Sequence, residues 1–281
     1  MSAFKHDFWG RDMNAENSHK SWRPLTILTF QLNHMAAGVA PALYHGFNVG
    51  IHAAVCASVV QLGRVTSGGD LALSALAGAI FAVHPVHVEA VTGVVGRADE
   101  LGTLFCILAF ISYSQLLKAC AVLGLREQIS VDGIIGWSVA FCVLAWLAFL
   151  SKEVTLTLLG VVAAYDLAVQ PWRGAWLPIP AERPATRGRG HGVAAMQSSW
   201  LPLIALALRC ALLLFCGGVY LGLRALLTAD SGRATLDGSA LLRRAENPFA
   251  LLHGVERLRS MLYLPAYYGG LLLWPQWLCC E

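Results

Sequence analysis

Charged side chains are scarce in this sequence: Asp, Glu, Lys and Arg make up 13% of its 281 residues, against 57% hydrophobic residues. An ordinary soluble domain carries about 25% charged residues, and its surface grows too fast with size for one core to hide this much apolar side chain. The low charge also excludes a disordered chain, because apolar residues are abundant. The sequence therefore predicts an all-α polytopic membrane protein.

Several short motifs are absent as well. The chain has neither a CxxC motif nor an Asn-x-Ser/Thr sequon. Its eight cysteines lie mostly within apolar stretches, where cysteine behaves as a small hydrophobe, so no zinc or redox site is indicated. The net charge of +3 is dispersed along the chain, which argues against nucleic acid as a partner.

Apolar stretches follow one another along most of the chain, and a spanning helix needs about 20 such residues. Residues 25–36 are apolar with polar interruptions, which predicts an interfacial helix. Pro85 interrupts the second long stretch. We predict seven spans, with six or eight as alternatives, over 42–62, 71–95, 101–119, 133–150, 154–169, 201–222 and 261–278.

Loops then alternate between two faces of the bundle. The first face collects 1–24, 84–100, 151–153 and 223–260, and the second collects 63–70, 120–132 and 170–200. Lys and Arg are more frequent on the first face, but that face also holds many acids. The positive-inside rule therefore leaves the orientation open.

Ionisable residues concentrate in the stretch FAVHPVHVEAVTGVVGRADELGTLF, residues 81–105. A segment that only reverses the chain needs a few glycines and polar residues, and charges at membrane depth are expensive. The stretch is therefore a candidate functional site, although a polar network that merely closes the bundle is the alternative. Its ionisable members are His84, His87, Glu89, Arg97, Asp99 and Glu100.

Three chemistries fit this stretch. His84, His87 and Glu89 have metal-ligating side chains, but their spacing matches no helical metal motif and Pro85 disrupts the helix between them. The same residues could relay protons, as in a transporter. Arg97, near a helix start, could instead hold a phosphate through a bidentate bond.

Three other places carry isolated charges. Arg23 lies beside Trp22 before the interfacial segment, which fits either a membrane anchor or the rim of a site. Lys152 and Glu153 occupy a minimal loop on the same face as 84–100. Arg209 lies inside an apolar stretch and is expected to extend towards the interface.

At these residues the sequence resembles the transmembrane and tetratricopeptide-repeat protein O-mannosyltransferases of the endoplasmic reticulum. The similar runs are HDFWG, SHKSWRPLTILTF, HPVHVEAVTGVVGRADELGTL, SKEVTLTLLG and ENPFALLHGVERLRSMLYLPAYYGGLLLWPQWLC. The resemblance implies a GT-C-type membrane helix bundle that transfers mannose from dolichyl phosphate mannose to Ser or Thr of secretory proteins such as cadherins. It also implies a multi-pass protein of the endoplasmic reticulum membrane whose residues 84–100 face the lumen.

The resemblance further implies roles for the candidate residues. Arg97 is the first choice for binding the donor phosphate, and Lys152 is the second. No metal or other cofactor is expected. The catalytic Asp-Asp pair of the family is expected upstream of Met1. The wider active-site region is expected to include His84, His87, Glu89, Asp99, Glu153 and Arg23.

The domain organisation follows the same resemblance. We expect a polar lumenal segment at 1–24, membrane helices at 25–170, a flexible cytosolic linker at 171–200, and further helices with a lumenal loop at 201–281. The family's repeats are expected after this last part, so the chain has the features of a fragment. The alternatives are a non-catalytic remnant that binds lipid or a partner, and a proton-coupled transporter.

Overall fold

The computed structural model describes residues 6–13, 15, 18–122, 131–176, 201–228 and 252–275. These residues form helices, short 3-10 turns and one isolated antiparallel bridge between His6 and Asp12. The predicted all-α membrane helix bundle is confirmed. The helices are α1 (Pro24–Ala37), α2 (Pro41–Thr66), α3 (Leu71–Val83), α4 (Val88–Thr92), α5 (Arg97–Val122), α6 (Val131–Ser151), α7 (Leu158–Trp176), α8 (Leu201–Thr228) and α9 (Gly254–Leu273).

Every apolar stretch singled out in the sequence contains a helix. Within the described ranges, three helices are long and apolar enough to cross a membrane: α2, α6 and Ile204–Leu227 of α8. A fourth crossing is obtained if α3 and the segment Pro85–Thr92 count as one bent span. Many large apolar side chains on these helices are exposed, as expected for a surface that faces lipid. The seven-span count stays a prediction.

A tight turn joins α2 to α3. Gly68 and Gly69 have φ angles of +74° and +101°, which side-chain-bearing residues rarely adopt. Asp70 then caps α3, since its carboxylate accepts a hydrogen bond of 3.0 Å from the backbone N–H of Leu73. The two helices consequently pack as an antiparallel pair.

The chain bends where Pro85 follows α3. The Pro85–Thr92 segment is rotated by 51° from α3, because proline cannot continue the helix. A second turn at Gly96 leads into α5. A Cβ atom at Gly96 would lie 2.2 Å from the carbonyl oxygen of Ala90, so only glycine permits this approach. The bend brings the residues before α5 back against α2.

The main core lies between α5, α6, α7 and α8. Ala145 and Ala148 on α6 have no exposed surface, and these small side chains let the neighbouring helices approach closely. Phe149 and Trp22 pack around the ring of Tyr220 on α8, with ring centroids 5.2 and 6.2 Å away. Trp22 thereby ties the segment before α1 to the bundle.

The segment before α1 is organised around Asp7, which has no exposed surface. One carboxylate oxygen accepts hydrogen bonds from the N–H groups of Trp9 and Arg11 at 3.0 and 2.8 Å. The other accepts from the Ser18 hydroxyl at 2.7 Å and the His19 N–H at 3.0 Å. Burial disfavours the ionised form, but these four bonds outweigh it and hold the pKa of Asp7 below its ordinary value.

Arg209 does not extend towards the interface, and that expectation is wrong. Its guanidinium is buried and donates to both oxygens of Asp166 on α7, at 2.8 and 3.2 Å. The hydroxyl of Tyr113 on α5 donates to the same carboxylate at 2.9 Å. Because a carboxylate lies within hydrogen-bond distance, burying the arginine beside it costs less free energy than extending the side chain to the membrane surface. The cluster joins α5, α7 and α8.

Some predicted boundaries differ from the helix ends. α7 continues to Trp176, so 171–176 are helical although they begin the segment predicted as a linker. α8 extends to Thr228 and α9 begins at Gly254, which shortens the predicted loop 223–260. The rest of that linker and loop, and residues 276–278 of the last predicted span, lie outside the described residues.

Replacing Arg209 by methionine tests the buried cluster. Arg209→Met leaves the Asp166 carboxylate buried without its cation, and we expect a loss of about 3–5 kcal/mol in the free energy of unfolding in mixed micelles. The double variant Arg209→Met/Asp166→Leu removes both charges and should recover most of this loss. Equal losses in the single and double variants would contradict the ion-pair interpretation.

The N-terminal segment should loosen in acid. Because the folded pKa of Asp7 is lowered, the carboxylate stabilises the segment above its unfolded pKa of about 3.9. That contribution is lost as the pH falls through the lower folded pKa. We expect amide-exchange protection factors at Trp9 and Arg11 to drop below about pH 4. In Asp7→Asn, protection should be low at neutral pH and should lack this acid transition.

Candidate active-site face

Arg97, the first residue of α5, points into the bundle and has no exposed surface. Its Nε donates to Oδ1 of Asn48 at 2.8 Å, and Nη1 donates to Oδ1 of Asn33 at 2.6 Å. Nη2 donates to the carbonyl oxygen of Tyr44 at 3.0 Å, and a longer contact of 3.5 Å joins Nη1 to the Thr29 hydroxyl. All of these acceptors are uncharged, so Arg97 is satisfied without a carboxylate hydrogen bond.

Aromatic rings complete the surroundings of this guanidinium. Its Cζ atom lies 4.4 Å from the ring centroid of Phe30 and 4.6 Å from that of Phe47, distances that allow cation–π attraction. Asn48 also donates to the carbonyl oxygen of Gly93 at 3.0 Å, which ties α2 to the bend. We call the residues around the guanidinium the Arg97 cage: Thr29, Phe30, Asn33, Tyr44, Phe47 and Asn48.

Two ion pairs lie side by side where α6 ends. The Lys152 ammonium contacts the carboxylate of Asp99 in the first turn of α5. Nε of Arg23 donates to Oε2 of Glu153 at 3.1 Å. We call Arg23, Asp99, Lys152 and Glu153 the paired-charge edge. It joins residues from three separate parts of the sequence. Three of its members were expected in the active-site region, and Lys152 was the second choice for the donor phosphate.

Exposure separates the paired-charge edge from the Arg97 cage. The side chains of Lys152 and Asp99 are 23% and 49% exposed, and those of Arg23 and Glu153 are 19% exposed each. Water or a ligand can therefore reach the edge, whereas Arg97 is fully enclosed. An anion would exchange with a half-exposed carboxylate at the edge far more easily than with the cage, because exposed ion pairs contribute only about 0–1 kcal/mol.

Local structure fixes the paired-charge edge in place. The Thr26 hydroxyl on α1 donates to the carbonyl oxygen of Ser151 at 2.9 Å, at the end of α6. A 3-10 turn, Glu153–Thr157, then packs against the start of α5, where a Cβ at Gly102 would lie 2.9 Å from Thr155. The turn therefore holds Lys152 and Glu153 on the face to which the start of α5 also points.

The histidines of the bend form a separate aromatic group. Nδ1 of His84 accepts a hydrogen bond from the Val86 N–H at 3.2 Å, while Nε2 lies 2.9 Å from the carbonyl oxygen of Leu272 on α9. These two contacts require the proton of the ring on Nε2. The ring of His87 packs 4.0 Å from the Phe81 ring centroid. Both histidines thus have structural contacts at the bend.

Glu89 is exposed on α4, and no contact joins its side chain to the other candidates within the part of the chain that the structure describes. His84, His87 and Glu89 also form no metal-ligand group in those ranges. The structure therefore brings together the members of the paired-charge edge but leaves Glu89 apart.

Several site residues were missed in the sequence. No motif in the sequence indicates Asn33 and Asn48, although a buried polar side chain in an apolar helix requires a partner. Thr26, Thr29 and Asn33 recur at intervals of three and four, which places them on one face of α1. That periodicity was the available signal for a polar contact between α1 and the bundle.

Comparison with known proteins gives relatives that are similar to more than half of the chain or to nearly all of it. Human protein O-mannosyl-transferase TMTC3 is 34% identical over 281 residues, covering 99% of this chain. Protein O-mannosyl-transferase TMTC2 from human is 39% identical over 166 residues and covers 59% of the chain. Tmtc3 from Drosophila melanogaster is 36% identical over 188 residues and covers 60%.

The chain matches only a small part of each relative's own length. The chain spans 28% of the length of human TMTC3, 19% of human TMTC2 and 20% of the Drosophila protein. No protein-family model matches the sequence, and no solved structure matches it either. On the similarity to these relatives, which extends from the N-terminal segment through α9, the chain belongs to the TMTC family of protein O-mannosyl-transferases.

Proposed function

We propose that this chain forms membrane helices of a protein O-mannosyltransferase and carries part of its donor site. The observation that carries the proposal is the 34% identity to human protein O-mannosyl-transferase TMTC3 over 99% of the chain. The paired-charge edge supports it, because a site for an anionic sugar donor needs accessible cations where the helices end.

The proposed donor is dolichyl phosphate mannose, and the proposed acceptor is a Ser or Thr hydroxyl of a secretory protein such as a cadherin. The hydroxyl oxygen forms a bond to the anomeric carbon of mannose while the bond from that carbon to the phosphate oxygen breaks. The bonding electrons leave with dolichyl phosphate, and the hydroxyl proton passes to a base. Cations near the departing phosphate stabilise the charge that develops on it.

Lys152 is the first candidate for the donor phosphate, and Arg97 becomes the second. The ammonium of Lys152 is partly exposed and its partner Asp99 is half exposed, so a phosphate can take the place of that carboxylate. Arg97 would have to break several buried hydrogen bonds to reach a ligand. The greater exposure of Lys152 therefore supports it as the first candidate, whereas the sequence favoured Arg97.

The carboxylates of the edge have a complementary part in the proposal. Once a phosphate engages Lys152, Asp99 is released and can accept a hydrogen bond from a sugar hydroxyl. Glu153 has one buried carboxylate oxygen, Oε1, with no hydrogen bond from the described residues, so it can accept another. The general base is not assigned to either residue.

The proposed location is the endoplasmic reticulum membrane, with the paired-charge edge on the lumenal side. This topology is supported by the resemblance and by the need of a lipid-linked donor to present its phosphate at a membrane boundary. His84 and His87 are proposed to shape the bend beside this face through their ring contacts. A lipid- or partner-binding remnant remains the outcome if binding occurs without transfer.

Removing the exposed cation should weaken donor binding. In nanodiscs, Lys152→Ala should reduce the affinity for dolichyl phosphate by about tenfold or more, because one charge-assisted hydrogen bond contributes about 1.5–3 kcal/mol. The melting temperature should stay close to that of the unaltered protein. Lys118→Ala, an exposed lysine far along α5, is the matched control and should bind normally. Unchanged affinity in Lys152→Ala would exclude this lysine as a phosphate contact.

Removing Arg97 should instead damage the fold. Arg97→Ala leaves the oxygens of Asn33, Asn48 and Tyr44 without their donor, at a cost of about 3 kcal/mol or more. We expect a lower melting temperature together with lower dolichyl phosphate affinity. If affinity disappears while the melting temperature is unchanged, Arg97 contacts the phosphate directly and the order proposed above is wrong.

A further inference from the structure

Glu100 is a buried carboxylate without a hydrogen bond from any residue in the described ranges. Its side chain is 4% exposed and lies in the first turn of α5, facing α2. The wall around it is apolar, with Ile51, Val55 and Leu101 forming a small cluster. An ionised carboxylate in such a place loses its hydration without gaining a hydrogen bond, so this group needs an explanation.

One titratable group faces this carboxylate directly. Nδ1 of His52 on α2 lies 3.4 Å from Oε1 of Glu100, just beyond ordinary hydrogen-bond distance. The ring of His52 is itself packed, with the ring centroids of Phe81 and His87 at 6.0 and 5.6 Å. A small rotation of either side chain would close the gap, because both groups are already oriented across the same α2–α5 contact.

The other ionisable groups nearby, among the described residues, form no hydrogen bond with Glu100. On α5, Arg97 directs its N–H groups into its cage, and Asp99 points away from α2 towards Lys152. On α2, the Cys56 thiol lies one turn beyond His52. At the bend, His87 stacks between Phe81 and His52 without a carboxylate contact. The charge of Arg97 still acts on Glu100, but only at a distance.

We propose that Glu100 and His52 share one proton, and that this proton-sharing pair holds the start of α5 against α2 beside the candidate site. If the proton is on Glu100, its O–H donates to Nδ1 and both groups are neutral. If the proton is on Nδ1, the imidazolium donates to the carboxylate. Either arrangement supplies the missing hydrogen bond and removes the uncompensated buried charge.

The pair explains why a polar contact is tolerated in an apolar wall. Sharing one proton keeps the pair at zero net charge, whereas losing it would leave a bare carboxylate among Ile51, Val55 and Leu101. The pair lies three residues beyond Arg97 on the same side of α5, so the two polar contacts fix the same end of that helix. Its proton belongs to the free protein and does not depend on the proposed transfer reaction.

Two spectroscopic measurements on the intact chain in nanodiscs test the pair. Infrared spectra would show whether a protonated carboxylic acid is present, and nitrogen-15 spectra of labelled histidine would show the charge of His52. At about pH 8, an ordinary histidine with a pKa near 6.5 is neutral and an ordinary glutamate is ionised. We expect either the carboxylic acid band or the imidazolium signal to persist at this pH.

Glu100→Gln should remove whichever signal persists, and His52→Gln should change it. If one of these variants fails to fold, the other still assigns the signal. Glu256→Gln, an exposed glutamate on α9, is the control and should change neither spectrum. An ionised Glu100 facing a neutral His52 at pH 7–8 would overturn the proposal. Neither readout requires mannosyl transfer, so a failure of the proposed function would not be mistaken for a failure here.

Discussion

The hydrogen bonding of one enclosed guanidinium constrains how three helices of this bundle meet. Arg97 begins α5 and finds its acceptors on α1 and α2, so the three elements share a single polar contact. A buried cation without acceptors would cost far more than the folded state of a small domain can absorb. The amide side chains of Asn33 and Asn48 are explained by this guanidinium, since each supplies one of its acceptors.

Within the described residues, the charges of the buried cations and of the cations at the edge are compensated in three different ways. Arg97 uses neutral oxygens and aromatic rings, and is closed to solvent. Arg209 uses a buried carboxylate and a tyrosine hydroxyl, and ties α7 to α8. Lys152 and Arg23 use carboxylates that remain partly exposed. Only the third arrangement can exchange its partner for a ligand at low cost, which separates candidates for binding from residues that hold the fold.

Much of the fold could be predicted from the sequence, because apolar stretches and their interruptions are local properties. Pro85 and the Gly68–Gly69 pair mark real breaks for the same reason. The pairing of Arg209 with Asp166 could not be predicted, because each lies alone in an apolar helix and 43 positions separate them. Arg23 and Glu153 are 130 positions apart and meet only because α1 packs against α6.

The candidate site also has features that could be predicted from the sequence and features that could not. The polar stretch around residues 84–100 was visible, but its members have different environments. Because successive residues of a helix are rotated by about 100°, Arg97 and Glu100 share one side of α5 while Asp99 points to the other. This division into an inward and an outward side was readable from helical periodicity. The acceptors around Arg97 and the contact between Glu100 and His52 were not readable in this way. They depend on how α1 and α2 pack against α5.

The arrangement of alternating charges at the edge has a physical consequence for a lipid-linked anion. Unpaired cations at a membrane boundary would attract any acidic headgroup, whereas cations already held by Asp99 and Glu153 present little net charge. A ligand must then offer more than one favourable contact to displace a carboxylate, and a phosphosugar can do so through both its phosphate and its hydroxyls. Selectivity at such an edge therefore depends on how well a ligand replaces the carboxylate that holds each cation, because the number of cations is the same for every ligand.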